Sequence, residues 1–408
     1  MSNTSFRAIT DRGPIYASED LRDTIHRLTA LAIYGLAPMF DPEKRLFCFR
    51  LKRTETGLIR EGVSHRYTAM TLMGLHRLEG SGTTSPIAIR PVLDGLLGNL
   101  NWVDNVGDMG LLLWLCALAA PDRLAEIECR LEVKRAVGHS REARQGRTIE
   151  LAWLLTGLSH GALACPGERR HTKDLATEIY RMLVKNQGEQ GIFGHLARRG
   201  TAAGIIGSRI GSFADQAYSI YAMTKFSQAY GERDATERAL DCALKICEAQ
   251  GSRGQWWWRY DSSDGSVAGR FPVFSVHQHA MGPMALLALG EAIQSDFTPW
   301  IHKGLQWIRD NELAFDMEDG SSNVVWRNVY VSAPRRMWST TLAFLLQREE
   351  SESRHGLEVM FECRPYELGW LLYAFANWNR PRMLPLSVSQ ISARTASGNF
   401  QFTVSQKA

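Results

Sequence analysis

The sequence predicts an all-α protein, an α/α toroid in which an inner ring of helices is wrapped by an outer ring. Apolar residues recur at three- and four-residue spacing through most of the 408 residues, with Gly, Pro and polar clusters between the segments. Segments that are apolar on most faces alternate with segments that are charged on one side. A stretch of the chain also repeats at an offset of 63 residues, counted from Gln187 to Gln250.

Six helical hairpins follow from this alternation. The first, half-exposed helices of the hairpins are expected at about 20–36, 86–98, 122–135, 172–186, 234–249 and 297–310. The second, apolar helices are expected at about 66–79, 107–119, 149–162, 213–229, 276–291 and 366–378. A helix at about 330–348, preceded by a short hairpin (SSNVVWRNVYVS), is interpreted as an insertion in the last unit. The toroid domain is expected over about 15–380, and residues 381–408 form a polar tail.

The repeat supports the hairpin interpretation independently of the periodicity. At the 63-residue offset the chain pairs identical or similar residues without a gap: Gly188 with Gly251, Gly191 with Gly254, Phe193 with Trp256, Ser212 with Ser275, Ala217 with Ala280, and Ala222 with Ala285. A looser copy places Ser64 five residues before Ala69. Each of the three serines is predicted to cap an inner helix by accepting a backbone N–H bond.

Two segments of the repeat, Gln187-x-x-x-Gly191-x-Phe193 and Gln250-x-x-x-Gly254-x-Trp256, resemble the Gln–Trp motifs of the terpenoid cyclase and protein prenyltransferase toroids. In that superfamily the motif ties an outer helix to the next inner helix, so the resemblance implies a fold more than an activity. The chain lacks the Asp-x-Asp-Asp motif of the cyclases, with 261–264 reading Asp-Ser-Ser-Asp instead, and lacks the zinc ligand pattern of the prenyltransferases. Six-hairpin glycosidases, polysaccharide lyases and sugar epimerases share the same toroid shape.

Composition excludes several classes of function. The net charge of +4 is spread along the chain without a basic arm, which disfavours nucleic acid as a partner. The longest apolar run, 109–120, is too short to cross a bilayer, which takes about 20 residues. The first residues lack the apolar segment of a secretory signal, so a cytoplasmic location is expected. Seven cysteines without a C-x-x-C pair indicate reduced thiols, and no metal or other cofactor is expected. The oligomeric state is not readable.

Catalytic candidates come from the first turns of the inner helices, because these turns converge on one mouth of a toroid. Asp215 could be a general acid or base, although it could equally cap its own helix. Asp108 and Glu150 could share acid and base roles with it, or serve as plain partners of the helix dipole. His277 could shuttle protons near neutral pH or be a structural histidine.

Substrate-binding candidates lie in the same turns and in the loop before His277. Trp257 and Trp258 could stack on a sugar ring, with packing favoured for one of the two. Arg364 could clamp a carboxylate or phosphate, or instead pair with Glu362 or Glu367. The full set of predicted substrate-binding residues is Tyr67, Gln216, Trp257, Trp258, Gln278, His279, Arg364, Tyr366 and Glu367.

The residue types at the predicted mouth favour an enzyme that acts on a carbohydrate by hydrolysis, elimination or epimerisation. The first alternative is a terpenoid cyclase or prenyltransferase-like enzyme with an isoprenoid substrate. The second is a toroid that binds a glycan or peptide without catalysis. A polar mouth with clustered carboxylates would favour sugars, whereas an aromatic and aliphatic cavity would favour isoprenoids.

Overall fold

The computed structural model describes residues 17–142, 146–196, 208–332 and 356–378, and its helices form two concentric rings. The inner ring contains α2 (His65–Gly80), α4 (Val106–Ala119), α7 (Thr148–Ala164), α9 (Phe213–Tyr230), α11 (Gly282–Ile293) and α13 (Pro365–Phe375). The outer ring contains α1 (Ala17–Leu36), α3 (Ile89–Gly98), α5 (Leu124–Arg130), α6 (Val133–Glu142), α8 (Arg169–Val184), α10 (Arg233–Glu248) and α12 (Thr298–Trp307). The α/α toroid and the positions of both sets of helices are confirmed.

Contacts between helices follow the ring. Each inner helix packs against the next one along the chain, and α13 packs against α2, which closes the circle. The outer helix predicted at 122–135 is two helices, because Glu132 has a left-handed backbone with a φ of 47°. A π-helical turn, His277–Met281, leads directly into α11.

Glycines bring the inner helices into backbone contact. A Cβ atom on Gly110 of α4 would lie 2.3 Å from the backbone nitrogen of Leu154 in α7. A Cβ atom on Gly74 of α2 would lie 2.0 Å from the carbonyl oxygen of Gly369 in α13. These distances are far below van der Waals contact, so the helix pairs can approach this closely only where the side chain is absent.

Aromatic side chains fill the centre of the ring. Trp114 stacks on Tyr221 and on Trp370 with ring centroids 5.1 Å apart in both pairs. The hydroxyl groups of Tyr221 and Tyr373 lie 2.6 Å apart, and the Trp114 indole N–H donates to Tyr373 at 3.2 Å. These four buried residues are called the aromatic plug, and their contacts block the axis below the mouth.

Short antiparallel strands connect the helices: β1 (Phe40–Asp41), β2 (Leu46–Phe47), β3 (Arg50–Thr54), β4 (Gly57–Glu61), β5 (Ile210–Ser212), β6 (Arg259–Asp261), β7 (Val267–Gly269), β8 (Val273–Phe274), β9 (Glu318–Asp319), β10 (Val324–Val325), β11 (Asn328–Val331), β12 (Leu357–Met360) and β13 (Glu362–Cys363). They form sheets in the orders β1-β2, β9-β10, β8-β11-β12, β13-β3-β4 and β5-β6-β7. Three of these strands, β4, β5 and β13, end within four residues of an inner-helix start, and β8 ends three residues before the π-helical turn that leads into α11. The sheets therefore frame the N-terminal mouth.

The predicted hairpin at 321–332 is replaced by a different pairing. Val324 and Val325 pair with β9, whereas Asn328 to Val331 pair with β12 and β8. Residues 330 and 331 of the predicted insertion helix are part of β11, and residues 333–348 lie outside the described residues, as does the tail from 381. No described helix is long and apolar enough to cross a membrane.

The glutamines of the two Gln–Trp segments bind a neighbouring outer helix, whereas the resemblance implies a tie to the next inner helix. The side-chain amide of Gln187 donates to the carbonyl groups of Gly191 and Arg238 in α10. Gln250 donates in the same way to Gly254 and to Trp300 in α12. Each glutamine thus fixes the turn that leads toward an inner helix to the outer helix that comes after that inner helix.

The serine caps are confirmed in two of three places. Ser64 accepts the Tyr67 N–H at 3.2 Å, and Ser212 accepts the Asp215 N–H at 3.2 Å. Ser275 instead donates its hydroxyl to the Arg327 carbonyl at 2.9 Å. The third cap was wrong because the inner helix here begins with the π-helical turn, whose first residue is two positions after Ser275.

Replacing Trp256 should test how much the Gln–Trp segment stabilises the fold. Its fully buried indole stacks on Phe213 and covers Gly282, so Trp256→Ala should lower the free energy of unfolding by about 3–5 kcal/mol. Chemical denaturation measures this loss. Tyr34→Ala is the control, since Tyr34 is 68% exposed and its removal should cost less than about 0.5 kcal/mol. Equal effects of the two substitutions would contradict the assignment.

Adding a methyl group between inner helices should be unfavourable. Gly110→Ala forces α4 away from α7 and should destabilise the protein by about 1–3 kcal/mol. Gly95→Ala, on the exposed side of α3 where a Cβ meets no atom within 4 Å, should instead stabilise it by up to about 1 kcal/mol. Thermal and denaturant unfolding of the two variants should therefore shift in opposite directions.

Candidate functional site

The mouth is the end of the inner ring where the six helices begin. Arg66, in the first turn of α2, binds Asp108, in the first turn of α4, through two hydrogen bonds of 2.6 and 2.9 Å. The Asp108 carboxylate is fully buried and also accepts the Asp104 backbone N–H at 3.3 Å. This bidentate pair holds a negative charge in a fixed position at the start of α4.

Glu150 lies beside this pair, in the first turn of α7. Gly107 lets the helices approach here, since a Cβ on it would lie 2.9 Å from the Glu150 Cα atom. The Glu150 side chain is 20% exposed, and its nearest cation, Arg147, is 3.6 Å away and 64% exposed. Burial raises the pKa of the Glu150 carboxyl, and the Asp108 charge raises it further, although Arg147 opposes the shift. Glu150 is thus a carboxyl group that can exchange a proton with a bound molecule.

Asp215 has the capping position that was one of its two interpretations. It is fully buried, and its Oδ2 atom accepts hydrogen bonds from the Ser212 N–H and hydroxyl groups, both at 2.7 Å. The His195 ring approaches the same carboxylate, with Nδ1 3.2 Å from Oδ2 and 3.3 Å from Oδ1. Asp215 therefore joins a capping box to a histidine.

His195 is the residue that the sequence interpretation missed. Its side chain is 41% exposed, and its carbonyl accepts the Thr148 N–H at 3.0 Å, which fixes it at the start of α7. The hydrogen bond to Asp215 raises the pKa of His195, while burial and the Arg147 charge oppose the rise. The repeat could have indicated this residue, because His195 follows Phe193 by two positions, as the predicted ligand Trp258 follows Trp256.

His277 and His279 do not join this group. His277 packs between Phe213 and Phe274, with ring centroids 4.7 and 5.1 Å away, and burial together with the Arg327 charge lowers its pKa to about 3. Burial also lowers the pKa of His279 to about 3. Because both rings are neutral at neutral pH and enclosed, the structure favours the structural interpretation of His277 over the proton shuttle.

The two glutamines are engaged by the backbone. Gln216 accepts the Phe193 N–H and donates to the Phe193 and Ser212 carbonyls. Gln278 makes the corresponding bonds to Trp256 and to the Phe274 carbonyl. Both are fully buried, so these predicted substrate ligands have no side-chain group left for a substrate.

The two tryptophans divide as expected between packing and exposure. Trp257 is buried and meets Phe271 edge to face, with ring centroids 6.4 Å apart. Trp258 is half-buried, and the Arg259 guanidinium lies 3.9 Å from its ring centroid. Trp258 therefore keeps a partly open aromatic surface beside the mouth.

The other predicted ligands form a second charged group across the mouth. Three arginines bind Glu362: Arg50 at 2.6 Å, Arg364 at 3.0 Å and Arg327 at 3.1 Å. Glu367 is buried and accepts Arg327 at 2.5 Å, and burial raises its pKa. Arg364 thus has the internal pairing that was one of its two interpretations, and Glu367 is not free to bind a substrate.

Two tyrosines separate the charged groups. Tyr67 accepts a hydrogen bond from Arg364 at 2.8 Å, and its ring lies 4.6 Å from that of Tyr366. Burial raises the pKa of the Tyr366 hydroxyl, which therefore stays protonated at neutral pH. Within the described residues no cluster of three or more His, Cys, Asp or Glu side chains could hold a metal ion.

Comparison with solved structures identifies the fold. An unsaturated glucuronyl hydrolase from Bacillus sp. GL1, responsible for the degradation of glycosaminoglycan, has a TM-score of 0.54 and 13% identity over 88% of this chain and 97% of its own. This chain has the fold of that hydrolase. A possible GH105 family member from Klebsiella pneumoniae has a TM-score of 0.58 and 12% identity over 90% and 98%. A sugar epimerase from a ruminal bacterium has a TM-score of 0.55 and 9% identity over 89% and 100%.

The toroid is thus similar to those of enzymes that act on glycans. No protein-family model matches the sequence, and comparison with curated proteins gives no match. Since the identities are all low, the similarity to solved structures establishes the fold. The chemistry must be argued from the residues at the mouth.

The buried histidines should make the fold sensitive to acid. Because the folded state lowers the pKa values of His277 and His279 to about 3, the unfolded state binds more protons below about pH 6.5. The free energy of unfolding should therefore fall with falling pH, by up to about 1.4 kcal/mol per pH unit for each histidine. His279→Leu should show a smaller loss between pH 6.5 and 4 in urea denaturation. The same pH dependence in both proteins would contradict this account.

Proposed function

We propose that the protein is an enzyme that acts on an acidic carbohydrate at the mouth, with Glu150 as a proton-transfer residue. The observation that carries the proposal is the position of Glu150: a partly exposed carboxyl with a raised pKa, adjacent to the fixed Asp108–Arg66 pair. Two carboxyl groups in unlike environments are the usual arrangement for acid–base chemistry at a glycosidic bond.

The shape and polarity of the mouth favour a sugar over an isoprenoid. The described mouth is lined by charged and titratable side chains, namely Arg66, Asp108, Glu150, Arg147 and His195. The aromatic plug fills the axis immediately below, where a terpenoid cyclase needs a deep apolar cavity for its substrate. The cyclase alternative thus depends only on the Gln–Trp segments, which are structural here.

The weak pairing of Arg147 with Glu150 favours an anionic substrate. Its distance of 3.6 Å from Glu150 exceeds hydrogen-bond length, and most of its side chain is exposed. A guanidinium in this position can bind the carboxylate of a uronic acid through two hydrogen bonds. Unsaturated glucuronyl hydrolase, which shares the fold, is named for such a sugar.

In this proposal the residues have separate tasks. Glu150 exchanges a proton with the reacting sugar or with a water molecule. Asp108, held by Arg66, supplies a fixed negative charge that stabilises positive charge developing on the sugar ring. Trp258 and Tyr67 contribute aromatic surface beside the substrate. Asp215 acts through His195, and His277 belongs to the core.

The test is turnover of oligosaccharides that end in an unsaturated glucuronyl residue, followed by the new reducing ends that cleavage of the glycosidic bond releases. Glu150→Gln should lower kcat by about 10²–10⁴-fold, because the amide keeps the shape of the carboxyl but transfers no proton. Its thermal stability should be unchanged or higher, since a partly buried charge is removed. Glu126→Gln, on the exposed face of α5, is the matched control.

Arg147→Gln separates binding from chemistry in the same assay. It should raise KM for acidic saccharides with a smaller change in kcat, and it should leave neutral saccharides unaffected. Binding of acidic saccharides without turnover by the unaltered protein would favour the non-catalytic alternative. Full activity of Glu150→Gln would contradict the assignment of Glu150.

Epimerisation is the second candidate function. A sugar epimerase shares the fold, and a carboxylate near a histidine is also suited to remove and return a proton at one carbon. Incorporation of solvent deuterium into an unbroken sugar would favour this reaction. Release of a shorter saccharide would favour hydrolysis.

A further inference from the structure

We propose that His195 is a second catalytic residue, the proton donor that works opposite Glu150, and that Asp215 is the positioning residue that holds it in its donor form. This proposal deepens the proposed function and rests on it. It also gives Asp215 a positioning role in place of the acid–base role that was one of its two interpretations.

The geometry gives the two ring nitrogens different tasks. Nδ1 faces the buried Asp215 carboxylate at 3.2 Å, so it donates its hydrogen inward. Among the described residues Nε2 has no hydrogen-bond partner, and the side chain is 41% exposed. A histidine fixed by a buried carboxylate through one nitrogen presents the other nitrogen to a substrate in a set orientation.

The charges around His195 determine its protonation. Asp215 of α9 stabilises the imidazolium, and Glu150 at the start of α7 does so from further away, whereas Arg147 opposes it. Glu150 itself is near Asp108, Arg66, Arg147 and His195. Burial raises the pKa of the Glu150 carboxyl, and the hydrogen bond to Asp215 raises the pKa of the His195 imidazole. The reactive form in this proposal is the one with a charged Glu150 and a charged His195, because only an imidazolium can donate a proton and only a carboxylate can accept one. His195 is then the acid and Glu150 the base.

The resulting hydrolytic step is balanced. His195 gives its Nε2 proton to the glycosidic oxygen as the bond between that oxygen and the sugar carbon breaks. Glu150 takes a proton from a water molecule whose oxygen forms the new bond to the same carbon. The pair ends as neutral imidazole and carboxylic acid, and proton exchange with solvent restores the starting forms.

The role of Asp215 can be tested in the free protein by NMR titration of the His195 ring. Asp215→Asn should lower the titration midpoint of His195, since it removes the negative charge that stabilises the imidazolium. Ser212→Ala is the matched control, because it removes a capping hydroxyl from the same carboxylate but leaves the charge. The resonance is assigned by its loss in His195→Gln. An unchanged midpoint in Asp215→Asn overturns the positioning role.

The donor role is tested by the pH profile of turnover. His195→Gln should lower kcat by about 10²–10⁴-fold and remove the alkaline limb of the profile, while the acidic limb, set by Glu150, remains. Asp215→Asn should move the alkaline limb to lower pH, whereas Ser212→Ala should leave it in place although it lowers thermal stability. A purely structural Asp215 would give both variants the same profile.

The outcomes distinguish this proposal from the function on which it rests. Absence of turnover by the unaltered protein on every acidic saccharide overturns the proposed function and the donor role together. Turnover that needs Glu150 but survives in His195→Gln overturns the donor role alone. If Asp215→Asn fails to fold, the His195→Gln profile decides the question, because His195 is partly exposed and its replacement leaves the capping box intact.

Discussion

The backbone contact between inner helices is the constraint on which the rest of the structure depends. Gly110 and Gly157 bring α4 and α7 together, and Gly74 and Gly369 do the same for α2 and α13. Because the inner helices lie this close together, the space along the ring axis is narrow enough for a few aromatic side chains to fill. Polar groups are then accommodated at the helix starts, where free N–H groups and the short sheets can pair with them. The position of the site is thus a consequence of how closely the helices pack.

Pairing of charges explains which carboxyl group at the mouth is suited to chemistry. Asp108 has a bidentate arginine, Asp215 has two serine hydrogen bonds and a histidine, and Glu362 has three arginines. Glu150 has one exposed arginine at 3.6 Å. Full pairing occupies the oxygens of a buried carboxylate, whereas weak pairing leaves the oxygens of Glu150 open to a bound molecule. Asp108, Asp215 and Glu362 are therefore the fully paired carboxylates of the mouth, and Glu150 is the carboxyl group for which we propose a reaction.

The sequence predicted the helices better than the roles of the site residues, for a physical reason. Helix positions depend on apolar periodicity, which is local and strong in α4 and α7. The role of Asp215 depends on His195, which lies 20 residues away in a loop without periodicity. The choice between the two interpretations of His277 depends on its burial and on the Arg327 charge, which only the tertiary structure brings together. The position of a residue in the first turn of a helix does not predict which charges lie next to it or how much of its side chain is exposed to solvent.

The two copies of the repeat separate structural positions from reactive ones. Gln216 and Gln278 bind equivalent backbone groups, so the two copies are offset by 62 residues at this point. The structural counterpart of Asp215 is therefore His277, whereas an offset of 63 would pair Asp215 with Gln278. A π-helical turn carries more residues per turn than an α-helix, and the one that starts α11 can restore the offset of 63.

His195 and Trp258 are equivalent as well, because their carbonyls accept the first N–H of the preceding inner helix, from Thr148 and Phe213 respectively. One copy therefore has a His–Asp pair where the other has a tryptophan and an aromatic-packed histidine. The residues that tie the hairpins together are the same in both copies, whereas those at the mouth differ. The shared residues hold the hairpins together, and the copies differ at the mouth, where we propose the chemistry.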